Sequence, residues 1–275
     1  MNCPLCRSAS KTAFEVKGYT LLDCTRCAHR FAAVAADEAH AAATYDDSYF
    51  NGGGAGYTDY LVEAEMLRAR GRMYAKKLAK FTKTGRVLDV GAAAGFILKG
   101  LSDEGWSGIG LEPNAAMAAY GRENLGLDLR QGTLESFDTS EKFDVISMVQ
   151  VAAHFYDPRR AFETACALLN ENGCILVETW NCASLSARLF GKNWHEYSPP
   201  SVLHWFSLQG LTKFVGDLGF ERLQYGRPSK KISGGHARSL LKYRFGDSFL
   251  LKLIPEKVDF PYPSEDLFWA LYRKK

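Results

Sequence analysis

Apolar positions in this chain come in short runs separated by helical spacing. Val87-Leu88-Asp89-Val90 meets Gly91, passes three alanines, reaches Gly95 and enters Phe96-Ile97-Leu98. A short apolar run that closes on a glycine and opens a helical pattern predicts a buried strand feeding a helix. Gly108-Ile109-Gly110-Leu111 predicts a second strand, 114–124 a helix, 128–131 a third strand and 143–149 a buried fourth strand. Residues 159–170 predict a helix, Asn172-Gly173 a turn and 174–181 a fifth strand. A helix over 208–218, a sixth strand over 220–226 and a closing strand over 264–273 follow. Strands alternating with helices predict an α/β fold around a largely parallel sheet.

The segments around this unit read differently. Residues 60–80 predict a helix with its charges on one face, and 32–44 are alanine-rich, a helix or a linker. Between them, TYDDSYFNGGGAGYTDY (44–60) predicts a loop, because its glycines oppose regular structure. Its aromatics Tyr49, Phe50, Tyr57 and Tyr60 would either cover a ligand or join the N-terminal segment to the rest. Residues 186–207 hold Trp194, His195, Tyr197, Pro199-Pro200, His204, Trp205 and Phe206 and predict a rigid loop that walls a pocket. Residues 227–255 read as basic and helical. The expected boundaries are a ribbon over 1–31, a linker and lid helix over 32–80, and the α/β domain over 81–275.

The turn after the first strand suits a cofactor. Gly91 can adopt a positive φ, and Gly95 lets backbone approach a ligand. Glu112 lies 23 residues beyond Asp89, at the tip of the second strand. A carboxylate placed there can accept both hydroxyls of a ribose. A dinucleotide is disfavoured, because the second and third glycines of its phosphate-binding turn are not in place. Asp89 would also repel phosphate. S-adenosylmethionine has no phosphate and carries an ammonium and a sulfonium, which suit two acids.

These residues carry a resemblance. VLDVGAAAGFIL resembles the first motif of class I S-adenosylmethionine-dependent methyltransferases, written D-x-G-x-G-x-G, with Ala93 in place of the central glycine. LEPN (111–114) resembles the motif after their second strand. The resemblance implies a Rossmann-like seven-stranded sheet with a late antiparallel hairpin. It implies that Asp89 and Gly91 position the amino-acid end of the cofactor, Glu112 the ribose, and Leu134-Glu135 the adenine. Gly95, Phe96, Pro113, Gln150 and Tyr57 complete the expected cofactor-binding set. Gln150 to Pro158 resembles a family stretch written D-V-L-E-H-x-x-D-P, which puts His154 on its histidine as candidate base. Gln150 replaces an aspartate there and Ala153 a glutamate. The stretch 191–207 resembles G-K-R-W-W-x-x-x-P-P-x-H-L-x-x-F-S, making His195 and His204 further catalytic candidates.

Composition adds a metal. Four of the seven cysteines form Cys3-x2-Cys6 and Cys24-x2-Cys27, with seventeen residues between the pairs. That spacing predicts two knuckles closing a tetrahedral Zn2+ site with no open position, hence a structural role. Phe14-Glu15-Val16 and Thr20-Leu21-Leu22 fit two ribbon strands between them. Cys166, Cys174 and Cys182 are scattered and read as core thiols.

Net charge is +3 with 24% charged residues, too balanced to imply a polyanion partner. No apolar run approaches the roughly 20 residues of a membrane span, and the expected location is the cytoplasm. The expectation is therefore methyl transfer, most simply to oxygen, on a small-molecule or sugar-linked acceptor. Two rivals stand beside it: an RNA methyltransferase that docks RNA on the ribbon, and a non-catalytic module that keeps the cofactor site.

Overall fold

A computed structural model of the chain describes residues 1–51, 60–235, 238, 248–255, 258–262 and 264–275. Three strands open it: β1 (Ser10–Val16), β2 (Tyr19–Cys24) and β3 (Arg30–Ala32). Helices α1 (Glu38–Thr44), α2 (Asp47–Asn51) and α3 (Ala64–Leu78) follow. Asp37 starts α1 by accepting the His40 N–H at 2.9 Å. The expected loop over 44–60 is thus helical at its start, where Asp47–Asn51 precedes the first glycine.

The α/β unit runs β4 (Arg86–Val90), α4 (Phe96–Asp103), β5 (Ser107–Glu112), α5 (Ala115–Leu125), β6 (Asp128–Gln131), β7 (Phe143–Val149), α6 (Pro158–Leu168) and β8 (Leu169–Trp180). It continues through α7 (Leu185–Phe190), β9 (His204–Trp205), α8 (Leu208–Asp217), β10 (Phe220–Gly226), β11 (Lys230–Ser233), β12 (Asp259–Tyr262) and β13 (Leu267–Lys274). Seven of these form one sheet in the order β10-β13-β8-β7-β4-β5-β6. The strands from β4 to β8 pair in parallel, and β13 runs antiparallel to both β8 and β10. The direction of winding reverses between β4 and β7, the switch point where such sheets leave a crevice beyond their carboxyl ends.

Local chemistry explains the elements. Four successive residues of β4, Val87 to Val90, are buried, as expected of a strand covered on both faces. Asn114 caps α5 and Gly126 closes it at φ +64°. Asp157 caps α6 and Pro158 occupies its first turn. Helix α3 lies against α4 where Gly71 faces Gly100: a Cβ on Gly100 would come within 2.1 Å of the Arg68 carbonyl oxygen. Lys230–Ser233, expected to be helical, is a strand because it pairs with β12, a partner distant in sequence. Residues 236–237 and 239–247 of that stretch lie outside the described residues.

The ribbon is built with help from far along the chain. Strand β9 pairs with β3, matching Arg30 to Trp205 and Phe31 to His204, and makes a four-stranded sheet β1-β2-β3-β9. The stretch 186–207 is thus α7, a turn and this strand rather than one loop. Cys3, Leu5, Leu22, Cys24 and Phe31 share an apolar cluster with Leu88, Ile146, Phe162 and Phe206 of the α/β unit.

Candidate active site

A cavity of about 1020 Å³, counting the solvent at its mouth, opens at the carboxyl ends of β4, β5 and β7. The turn after β4 contributes Gly91, Ala92 and Ala93, and the tip of β5 contributes Glu112 and Pro113. The loop after β6 adds Leu134 and Glu135, and the turn after β7 adds Gln150 and His154. Tyr45, Tyr49, Phe50 and Tyr60 line it from the segment that carries α1 and α2 and leads to α3, called the lid from its position. Asn114 holds that lid to α5, its amide donating to the Tyr45 carbonyl and to Asp47 Oδ1, both at 3.0 Å. Tyr60 stacks on Phe96 at 5.6 Å between centroids.

Two buried acids face this space. Asp89 is 2% exposed and accepts a hydrogen bond from the Ser147 hydroxyl. Glu112 is 3% exposed and accepts the N–H groups of Ala93 and Asn114, each at 2.8 Å. Burial pushes both carboxyls up to about 7. Acids held in that state favour a cation as their neighbour, since a positive charge restores the ionised form. Glu135 is also pushed up to about 7 by burial, and its Oε1 accepts the Tyr156 N–H at 2.9 Å.

Two residues of the lining carry backbone strain. Ala93 has φ +48° and Gln150 φ +60°, a region that side chains disfavour. Gln150 is held there by Glu178, whose carbonyl accepts its N–H and whose Oε1 accepts its side-chain amide, both at 2.8 Å. Strain fixed by surrounding bonds is a mark of a functional site.

Arg70 was not among the residues expected here. It lines the cavity from α3 and lies 3.3 Å from Glu178 Oε1, while Tyr74 donates to Glu178 Oε2. A signal existed in the sequence. Arg68, Arg70 and Arg72 are two residues apart, and two helical residues rotate by about 200°, so the three cannot share a face. Arg68 and Arg72 pair with Asp103 on the outside, and Arg70 points inward. Tyr45 was also missed as a site residue.

The three histidines separate. The Nδ1 of His154 lies 2.8 Å from the Ser201 carbonyl oxygen, which only accepts, so Nδ1 carries the proton. The Tyr45 hydroxyl donates to the same oxygen at 2.7 Å and lies 2.9 Å from Nδ1. The Nε2 of His154 keeps its lone pair and has no partner among the described residues. Burial holds this imidazole below its ordinary range, with the Ser201 bond opposing. His195 and His204 do not reach the cavity. His195 has a half-exposed side chain, pairs with Glu196 at 2.7 Å, and packs edge-on against Trp180 and Trp194. His204 is buried against the ribbon, bonded to Phe155 and His29.

Two expected cofactor contacts fall elsewhere as well. Gly95 adopts φ +84° to start α4, and a Cβ there would lie 2.6 Å from Leu127 Cδ1, so the glycine accommodates core packing rather than a ligand. Phe96 is buried beside Tyr60 and Tyr120 and supports the lid from below. Tyr57 lies outside the described residues.

Away from the cavity, the sulfurs of Cys3, Cys6, Cys24 and Cys27 lie within 4.8 Å of one another. Cys3 and Cys27 are 3.6 Å apart, Cys6 and Cys24 3.3 Å. A tetrahedral metal with bonds of about 2.3 Å sets its sulfurs about 3.8 Å apart, so this donor set fits a thiolate-binding ion. Burial pushes the Cys3 thiol up to about 11, a cost that a bound cation would offset.

Comparison with known proteins agrees with this geometry. Residues 62–225 match the methyltransferase domain family. Over 101 residues the chain is 34% identical to a ubiquinone biosynthesis O-methyltransferase of Bradyrhizobium diazoefficiens, covering 35% of this chain and 40% of that relative's length. A SAM-dependent methyltransferase from Archaeoglobus fulgidus superposes with a TM-score of 0.53 at 18% identity, covering 78% of this chain and 99% of that one. Magnesium protoporphyrin IX methyltransferase from Synechocystis, solved with bound SAH, gives 0.51 at 12% identity, covering 78% and 85%. With more than half its length matched and the seven-stranded order in place, the chain belongs to the class I S-adenosylmethionine-dependent methyltransferase family.

Proposed function

We propose that this protein transfers a methyl group from S-adenosylmethionine to the oxygen of a small-molecule or sugar-linked acceptor. The observation that carries the reading is the cavity at the tips of β4, β5 and β7, where two buried acids line the same space as His154. The relative's O-methyltransferase name supports oxygen as the acceptor atom. No helix among the described residues is long and apolar enough to cross a membrane, and a cytoplasmic site of action fits that.

In this reading Asp89 and Gly91 orient the amino-acid end of the donor, and Glu112 accepts from its ribose hydroxyls. Leu134 and Glu135 hold the adenine, and Pro113 and Gln150 complete the walls. Arg70 offers a guanidinium to the donor's carboxylate. The donor, when bound, supplies an electrophilic methyl on a sulfonium. His154 Nε2 takes the acceptor's proton. Being neutral at pH 7 and a weak base, it suits an acidic hydroxyl better than an aliphatic one. The lid aromatics exclude water, and alignment of two reactants is worth about 7–11 kcal/mol in ideal cases. The four cysteines would hold zinc, whose closed shell supplies folding energy and no open position.

A crystal soaked with S-adenosylhomocysteine tests the reading. The thioether sulfur is expected on the side of the cavity that His154 lines. Density for the ligand elsewhere, or His154 turned from the sulfur, would contradict it.

A further inference from the structure

The reaction itself does not require the ribbon to share a strand with the α/β unit, yet it does. The Ala32 N–H donates to the Leu203 carbonyl at 2.9 Å, and the Leu203 N–H donates to the Ala153 carbonyl at 2.9 Å. The side chain of His204 reaches the same turn, its Nε2 lying 2.9 Å from the Phe155 carbonyl oxygen. That oxygen only accepts, so Nε2 carries the proton and Nδ1 accepts from His29 Nε2 at 3.1 Å. His29 follows the second cysteine knuckle, and its own carbonyl accepts the Cys24 N–H at 2.9 Å. Bonds traceable to the cysteines therefore end on Ala153 and Phe155, the two residues that flank His154.

The same segment supplies the acceptor that sets the His154 tautomer. Ser201 lies two residues before Leu203, and its carbonyl receives His154 Nδ1–H and the Tyr45 hydroxyl. We propose that the cysteine ribbon is a positioning device for the methyl-transfer site, holding the 201–205 segment and the 153–155 turn in the register that keeps His154 as its Nδ1–H tautomer, with Nε2 left unprotonated. His204 is the positioning residue of this device, and Tyr45 completes it from the lid. The proposal rests on the reading of His154 as the base. General fold support would need only packing between ribbon and sheet. The observed bonds instead converge on the backbone either side of one imidazole.

The test uses the metal-loaded protein with its histidines labelled with nitrogen-15, whose ring signals report which nitrogen holds the proton. The untouched protein is expected to show His154 as the Nδ1–H form. Stripping the metal with a chelator, or substituting His204→Phe, should lose that signature and leave a mixture of tautomers, while S-adenosylhomocysteine affinity is retained. His204→Gln offers a donor to Phe155 and an acceptor to His29, and should keep the signature. Persistence of Nδ1–H after both chelation and His204→Phe would overturn the proposal. Loss of S-adenosylhomocysteine binding together with the signature in both would overturn it too, because the ribbon would then be general support. Failure of the untouched protein to bind S-adenosylhomocysteine counts against the methyltransferase reading instead, and the tautomer comparison is then read on the ligand-free protein, where loss of Nδ1–H after chelation and in His204→Phe supports the proposal and its persistence in both overturns it.

Discussion

The N–H of Ala93 donates to Glu112 Oε2 at 2.8 Å, tying the turn after β4 to the tip of β5. The bond holds Ala93 at φ +48°, where its family resemblance expects glycine. A non-glycine residue there costs about 1–2 kcal/mol, and glycine would add about 0.4–1 kcal/mol of unfolded-state entropy. Ala93→Gly should therefore change stability little. It removes a methyl group from the cavity lining, so S-adenosylhomocysteine should bind more tightly by titration calorimetry. Weaker binding would show that the methyl group makes a useful contact.

Arg70 and Glu178 give a prediction about stability. Glu178 is 0% exposed and accepts from Arg70, Tyr74 and Gln150. Removing one partner of a buried pair costs about 3–5 kcal/mol. Arg70→Ala should lower the melting temperature by roughly 2–4 °C for each kcal/mol lost and should weaken cofactor binding as well. Arg70→Lys should recover only part of either, since an ammonium lacks the planar fork. An unchanged melting temperature in thermal unfolding would contradict the network.

The raised carboxyls of Asp89 and Glu112, both about 7, predict a pH dependence. In the unfolded chain these groups ionise near 4. The folded state holds their protons longer, so the stability they contribute is complete below about pH 4 and is lost as pH rises to 7. Above that, each ionised acid costs on the order of 3 kcal/mol in the empty site. A cationic ligand reverses this cost. Affinity for S-adenosylmethionine should rise between about pH 6 and 8, with proton release seen as a dependence on the buffer's ionisation enthalpy. S-adenosylhomocysteine, lacking the sulfonium charge, should respond less. A flat profile for both would contradict cation recognition by the two acids.

The cysteine cluster predicts about one zinc per chain by atomic absorption, since four thiolates complete one tetrahedral shell. Cys24→Ser should lower both the metal content and the melting temperature. Full thermal stability in metal-free protein would argue against a structural ion.

The parts legible in the sequence are those with a local cause. The turn at Gly91 and Gly95 announces itself because positive φ values, +65° and +84°, select glycine. The spacing of Asp89 and Glu112 follows from one βαβ repeat, and the two cysteine pairs from knuckle geometry. The pairing of β3 with β9 was not legible. It joins residues some 170 positions apart through two-residue contact, and nothing local in His204-Trp205 marks a strand. The same reason misplaced His204, which the pairing turns toward the ribbon. Arg70 is obscured by the helical pattern over 60–80, which puts the charges on one face, although three arginines at alternate positions cannot share one.

The central claim is that a donor lies across the tips of β4 and β5, held by an acid from each. Its most direct test is calorimetric titration of S-adenosylhomocysteine into the protein and into Glu112→Gln. The account predicts one site per chain, weakened at least about tenfold by the substitution, or roughly 1.4 kcal/mol, with no comparable binding of NAD. Equal affinity in the two proteins, or a site that prefers the phosphate-bearing nucleotide, would contradict it.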